Sequence, residues 1–172
     1  MARGLLKYAL KSNFDLAVAE ELRLDHSVLV PLHFLTPSMD VPVIPLYVNG
    51  LAPPLPSARR CLALGRTIQR FIAEWDGPQR VALLASGSFP LEVGGPMMGI
   101  TDDAWVSTVA SLLERGQYES LARRATEQRM AAAGNVSGEL LCWITVAGAV
   151  GDALPLQVET DRGNGFAAWK LD

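Results

Sequence analysis

Arg80-Val-Ala-Leu-Leu-Ala-Ser-Gly-Ser-Phe-Pro-Leu-Glu-Val-Gly-Gly-Pro-Met-Met-Gly-Ile-Thr-Asp-Asp-Ala-Trp105 is the stretch from which the fold class is read. Val81 to Ala85 form a continuous apolar run between Arg80 and Ser86-Gly87-Ser88, the pattern of a strand covered on both faces. Asp102 and Asp103 then open a helix through Trp105, Val109, Leu112 and Leu113, with their charges at its positive end. Between the two, Gly or Pro at 87, 90, 94, 95, 96 and 99 predicts an irregular loop, and the spacing does not make a GxGxxG phosphate loop. Loops at the carboxyl end of a strand are where α/β folds place ligands.

Upstream, Gly4 to Ser12 reads as a short helix with no cap before it, and Phe14 to Ala19 as a strand with period-2 character. Pro31 fits a first helical turn, which puts Asp25 and His26 in the loop leading into it. Val41 to Asn49 reads as a strand whose prolines suggest an edge, and Gly50 to Pro56 as loop. Ser57 caps an amphipathic helix in which Cys61, Leu64, Ile68, Phe71, Ile72 and Trp75 recur at steps of three and four, a face expected to pack on the sheet.

Downstream, Tyr118 to Ala133 is a polar helical segment expected to face solvent. The segment from Gly138 to Gly151 is apolar on every side after its first residues and marks a helix buried at the centre. Leu154 to Thr160 and Gly165 to Leu171 are strand-like runs separated by Asp161-Arg-Gly-Asn164. Together these predict one three-layer α/β domain over residues 1–172, with a mixed central sheet flanked by helices.

The totals exclude several function classes. A chain of 172 residues with 49% hydrophobic and 19% charged side chains fills one domain. Its net charge of −3 offers no basic field for nucleic acid. The longest nearly apolar run, Leu140 to Val150, falls short of the roughly 20 residues that cross a bilayer, and Lys7 and Lys11 interrupt the place of a signal-peptide core. A cytoplasmic protein without a membrane or nucleic-acid partner is expected. Cys61 and Cys142 fall in segments read as buried helices, so core packing is the reading for each.

Ala85 to Thr101 resembles the loop of the class III extradiol ring-cleavage dioxygenases, the catalytic-subunit family of protocatechuate 4,5-dioxygenase and gallate dioxygenase. There the loop usually reads Gly-Thr-Gly-Gly-Leu-Ser-His-Gln-Leu, and its histidine is an acid–base catalyst. Leu91 stands at the matching position, a degenerate catalytic place. Asp25-His26, Pro54 to Gly65 and Ser137-Gly-Glu-Leu-Leu-Cys-Trp-Ile144 are similar to the same family in the same order. The resemblance covers nearly all of this chain but the latter half or so of a full-length relative, so it implies the C-terminal part of that fold, an incomplete version of it. Both iron histidines of the family lie before the region matched here.

Glu139 stands in the first turn of the buried helix, where a carboxylate by itself reads as a capping or helix-dipole group. The family's Gly-x-Glu-Leu-x-x-Trp-Leu context implies that Glu139 is an iron ligand. His26, by itself a lone loop histidine, is implied to be a catalytic pocket residue able to bond a substrate hydroxyl or bound oxygen. His33 has no counterpart role. Gly163 and Asn164 are similar to the family's Ser-Asn-Thr turn beside the substrate carboxylate, with Gly163 in place of the serine.

The resemblance implies an extradiol, non-haem Fe(2+) dioxygenase that opens the ring of a catecholic aromatic acid with dioxygen, in a homo- or hetero-oligomer. A non-haem iron(II) triad uses two imidazoles and one carboxylate, and with only His26 and His33 that triad cannot be assembled from this chain. Three readings are open: an extradiol dioxygenase whose N-terminal part is absent and which is not competent alone, a non-catalytic partner subunit, and a small-molecule-binding relative that has lost the reaction.

Overall fold

The computed structural model describes residues 1–90, 92–161 and 164–171. The chain forms two compact units, Met1–Tyr47 and Val48–Asp172. Among the described residues there are seven α-helices, one 3-10 turn and a two-stranded sheet, a mixed α/β composition. No helix among these residues is long and apolar enough to cross a membrane.

In the first unit, α1 (Ala2–Lys11) starts at Met1 without a side-chain cap and buries Ala9. The helix α2 (His26–Leu35) is capped by Asp25, whose side chain accepts from the Ser27 N–H at 3.0 Å and from the Ser27 hydroxyl. This corrects the boundary read from Pro31. Capping by Asp25 starts the helix at His26, and Pro31 lies inside it, so the Asx cap outweighs the hydrogen bond that a proline removes. The expected strand over Phe14 to Ala19 is irregular backbone, and most of the Val41 to Tyr47 run is exposed.

The second unit holds the core. Ser57 caps α3 (Ala58–Ala73) by accepting from the Arg60 N–H at 3.2 Å, and Cys61, Leu64, Ile68 and Phe71 are buried as their spacing predicts. The helix ends before Trp75, whose ring rests on Phe71 with centroids 5.9 Å apart. Its partner is α7 (Leu140–Ala149) rather than a sheet. The two helices meet through small residues: a Cβ on Gly65 would overlap the Thr145 carbonyl oxygen, and one on Gly148 would overlap that of Leu62.

Asp102 caps α4 (Asp103–Glu114), accepting from the Trp105 N–H at 2.9 Å. Arg129 pairs with the other Asp102 oxygen and lies 4.5 Å from the centre of the Trp105 ring, and its hydrogen bond holds the Asp102 carboxyl below the ordinary carboxylate value. The polar segment predicted as one solvent-facing helix is two, α5 (Tyr118–Arg124) and α6 (Glu127–Ala133), because Thr126 caps a new start. Their apolar side chains Leu121, Ala122, Met130 and Ala133 join the core, so the segment has a buried face that its charge content conceals.

The central helix α7 is as its apolar run predicts, since Leu140, Leu141, Ile144 and Ala147 are each no more than 1% exposed. The two C-terminal strands are also present, as β1 (Gln157–Asp161) and β2 (Asn164–Ala168), antiparallel with Gln157 opposite Ala168 and Asp161 opposite Asn164. The expected strand over Val81 to Ala85 is not. Among the described residues this run pairs with no other strand, and Ala82, Leu83 and Leu84 are exposed. An apolar run has strand propensity, but a ladder needs neighbouring strands, and the one sheet formed among the described residues is the β1–β2 hairpin.

Candidate functional site

The glycine-rich loop after Val81–Ser86 is tied at its base to the start of α7. The Ser88 N–H donates to Glu139 Oε2 at 2.7 Å, and Trp143 Nε1–H donates to the Gly87 carbonyl at 2.9 Å. Glu139 and Trp143 are four residues apart, hence on one face of the helical segment, and both point at the loop. Gly87 has φ +145°, and a Cβ there would sit 2.7 Å from the Glu139 Cβ. A side chain at 87 would therefore push the loop off the carboxylate. Phe89 is 1% exposed and meets Trp143 edge to face, centroids 5.3 Å apart.

A second tie lies farther along the loop. Asn135 Oδ1 accepts from the Val93 N–H at 2.9 Å while its Nδ2 donates to the Val93 carbonyl at 2.8 Å, and the Asn135 N–H donates to Glu92 Oε2 at 2.9 Å. The side-chain amide thus stands in for a strand partner on one loop residue. Asn135→Ala removes two of these three bonds, and because they are exposed the expected loss is about 1–2 kcal/mol, read by urea unfolding. Amide exchange at Glu92 and Val93 should rise while that of α7 stays the same.

Glu139 is therefore joined to the loop through the Ser88 N–H. The β1–β2 hairpin reaches the same place one residue past Asn164: a Cβ on Gly165 would be 2.7 Å from the Phe89 ring and 3.3 Å from that of Trp143. Asn164 itself is exposed at the first position of β2. His26 belongs to the first unit, where it is exposed at the start of α2 and not in a preceding loop. Leu91 and Gly163 lie outside the described residues. Sequence reasoning missed Ser88, Asn135 and Trp143; only Trp143 carries a signal, its four-residue spacing from Glu139.

Burial pushes the Cys142 thiol up to about 11, with the Glu139 charge adding to the effect, and burial likewise raises Cys61 to about 11. Both thiols stay protonated at neutral pH, which suits packing and not nucleophilic chemistry.

An iron(II) centre of the two-histidine, one-carboxylate kind can be tested against this donor set. Glu139 supplies one carboxylate, with Oε2 already accepting from Ser88. The two histidines of the chain, His26 and His33, both belong to the other unit, and no group of three or more His, Cys, Asp or Glu side chains able to hold a metal ion occurs among the described residues. The residues present do not complete such a centre.

Residues 1–164 match the family described as the catalytic LigB subunit of aromatic ring-opening dioxygenase. The chain belongs to this family. Among curated relatives, it is 28% identical over 155 residues to the gallate dioxygenase of Pseudomonas putida, covering 86% of this chain and 44% of that protein. It is 32% identical over 148 residues to a 2,3-dihydroxyphenylpropionate/2,3-dihydroxicinnamic acid 1,2-dioxygenase of Dechloromonas aromatica, covering 84% and 45%. To the enzyme of that name from Paraburkholderia phymatum it is 26% identical over 213 residues, covering 98% and 67%. The chain thus spans about half the length of the first two. The third match is longer than this chain's own 172 residues, so that relative carries, inside the matched region, segments which this LigB-family chain lacks.

Proposed function

We propose that this chain is a component of an extradiol, iron(II)-dependent ring-opening dioxygenase acting on a catecholic acid, and that it is not competent alone. The observation that carries the reading is the union of the glycine loop with Glu139, the carboxylate that the family resemblance makes an iron ligand. Beside it the half-buried Trp143 ring, backed by the buried Phe89, and the hairpin bearing Asn164 offer an apolar surface and a polar edge, the combination an aromatic acid requires. On this reading Asn164 and Gly163 flank the substrate carboxylate, and the full set is a three-layer α/β fold completed by polypeptide beyond this sequence. The imidazoles that would share iron with Glu139 come from the same source. Iron, when bound, supplies the binding of catecholate and dioxygen side by side.

What this chain's own residues contribute is position. Glu139 fixes the loop, and Trp143 and Phe89 exclude water from its base; the family resemblance adds His26 as a candidate for moving a proton at the substrate hydroxyl. Leu91 has no titratable group, so it cannot donate or accept the proton that ring cleavage demands. That substitution favours a second reading, a non-catalytic partner subunit or small-molecule-binding relative.

Anaerobic titration with iron(II) tests the first reading, with weak binding expected, because one carboxylate leaves most of the coordination sphere to water. Oxygen uptake with protocatechuate or gallate should be absent for the chain alone. Fusion to the N-terminal part of a relative should bring back metal binding, and Leu91→His in the fusion should raise turnover by about 100-fold or more, the range of general acid–base catalysis. Equal turnover with leucine and histidine would assign the proton transfer to another group such as His26. A tight stoichiometric iron site in the chain alone would overturn the reading.

A further inference from the structure

The chain contains two Asn-Gly dipeptides, Asn49-Gly50 and Asn164-Gly165, and the fold holds them in opposite ways. In such a pair the glycine nitrogen can attack the asparagine Cγ, because glycine has no Cβ to obstruct the approach and its backbone turns freely. Asn49 is held away from that attack. Its Nδ2 donates to the Ala52 carbonyl at 2.6 Å and to the Pro54 carbonyl at 3.4 Å, and its Oδ1 accepts from the Leu51 and Ala52 N–H groups at 3.3 and 3.1 Å. Gly50 is buried, and a Cβ on it would be 2.6 Å from the Gly138 carbonyl oxygen.

Asn164 and Gly165 are both exposed, and the Asn164 side chain makes no hydrogen bond to another described residue. Asp161 and Asn164 form the last pair of the β1–β2 ladder. Antiparallel pairs alternate between those that exchange backbone hydrogen bonds and those that do not, and the pair closing a two-residue connection is of the bonded kind. Thr160–Gly165 is therefore of the other kind, and the Gly165 N–H points away from β1. The attacking nitrogen is not committed to the sheet.

We propose that Asn164 is a site of spontaneous covalent modification, converting to aspartate and isoaspartate, and that Asn49 is not. The Gly165 nitrogen bonds to the Asn164 Cγ while the Cγ–Nδ2 bond breaks, and the proton lost from Gly165 leaves with the side-chain nitrogen as ammonia. The product is a cyclic succinimide. Water then opens the ring: attack at the former side-chain carbonyl gives aspartate, and attack at the former backbone carbonyl gives isoaspartate, in which the chain runs on through Cγ. Nothing is oxidised or reduced, and water is the only co-reactant. Either product disturbs the hairpin. A carboxylate at 164 stands directly opposite Asp161, and like charges so placed destabilise a strand pair. Isoaspartate also lengthens the backbone by a methylene just before Gly165, where a Cβ would already be 2.7 Å from the Phe89 ring and 3.3 Å from that of Trp143. The hairpin therefore opens from its tip and lifts off the Phe89–Trp143 pair. A new carboxylate beside the place assigned above to the substrate carboxylate is a further consequence; it rests on the proposed function, and the tests of the modification do not.

Asn49 serves as the control within the same molecule. The intact chain is aged at neutral pH and mapped by peptide mass spectrometry, with electron-transfer fragmentation to tell isoaspartate from aspartate. Asn164 should convert about tenfold or more faster than Asn49, the factor that breaking one or two ordinary hydrogen bonds before the attack imposes. In the urea-unfolded chain the two should convert at the same rate, which assigns the difference to the fold. Amides of β1 and β2 in the aged chain should exchange about fivefold faster than in fresh chain. Asn164→Gln, which would have to close a larger ring, should age without conversion at 164 and keep the fresh exchange rates, with Asn49 unaffected. Equal conversion at 49 and 164 in the folded chain overturns the proposal. So does an Asn164 that stays intact in the folded chain while it converts in the unfolded one. Conversion without faster exchange in β1 and β2 would overturn the opening of the hairpin. None of these readouts uses iron or ring cleavage, so they stand or fall apart from the proposed function.

Discussion

Gly65→Ala should lower the stability of this chain by about 3 kcal/mol, where the same change in an ordinary helix interior would raise it by about 1 kcal/mol. The reversal of sign is what makes the experiment informative. Alanine is the better helix former because glycine loses more backbone freedom on folding. At position 65 the added Cβ would meet backbone atoms of α7, overlapping the Thr145 oxygen and lying 2.8 Å from the Ala149 nitrogen and 2.9 Å from the Gly148 carbon. A flexible side chain could swing aside, but a backbone carbonyl cannot, so α3 and α7 must separate. Leu62, Cys61, Leu141 and Ile144 belong to the core cluster of these helices, and separation opens voids around them. In a chain of this size the expected fall in Tm is about 10 °C. Gly148→Ala, whose Cβ would overlap the Leu62 oxygen, should behave alike. Chemical denaturation measures both, and a neutral or stabilised Gly65→Ala would mean that the helices do not approach this closely.

That helix pair also marks where the sequence is readable and where it is not. The face of α3 is visible in the steps from Cys61 to Phe71, and α7 in its unbroken apolar run, because a buried helix leaves a pattern within its own residues. What each packs on leaves no such pattern. The amphipathic face of α3 fits a sheet or a helix equally well, and Gly65 and Gly148 acquire meaning only when set opposite one another. The strands divide in the same way. Gln157–Asp161 and Asn164–Ala168 are hairpin neighbours and pair locally, whereas Val81–Ala85 would need strands from elsewhere, and propensity in one segment cannot supply its neighbours. Of the candidate site, Glu139 is singled out only by the family resemblance of its Gly-Glu-Leu-Leu-Cys-Trp context, since its helical position by itself reads as a capping group. Ser88 and Asn135 act through backbone geometry and a side-chain amide, neither of which has a signature along the chain. The break at Thr126 has one, an N-cap threonine, but the surrounding charges mask it by giving the segment the look of one continuous solvated helix.

Glu139→Ala is the substitution expected to act most strongly on the site, accelerating exchange of the Ser88 amide by about 10- to 100-fold. A hydrogen bond from a backbone N–H to a charged carboxylate is worth about 1.5–3 kcal/mol, and alanine offers the Ser88 N–H no side-chain oxygen in its place. Glu139→Gln separates shape from charge. The amide oxygen can still accept from Ser88, so most of the protection should return, at a level set by a neutral rather than a charge-assisted bond. Cys142 supplies an independent reading of the same charge. Its thiol is raised to about 11 first by burial and then by Glu139, so neutralising residue 139 should lower the thiol pKa while leaving it above the ordinary value. A thiolate absorbance titration of Cys61→Ala against Cys61→Ala with Glu139→Gln measures that shift without interference from the other thiol. If Ser88 exchanges at the same rate in all three forms of residue 139, the carboxylate does not hold the loop, and the link between the glycine-rich stretch and α7 must rest on Trp143 and its bond to Gly87.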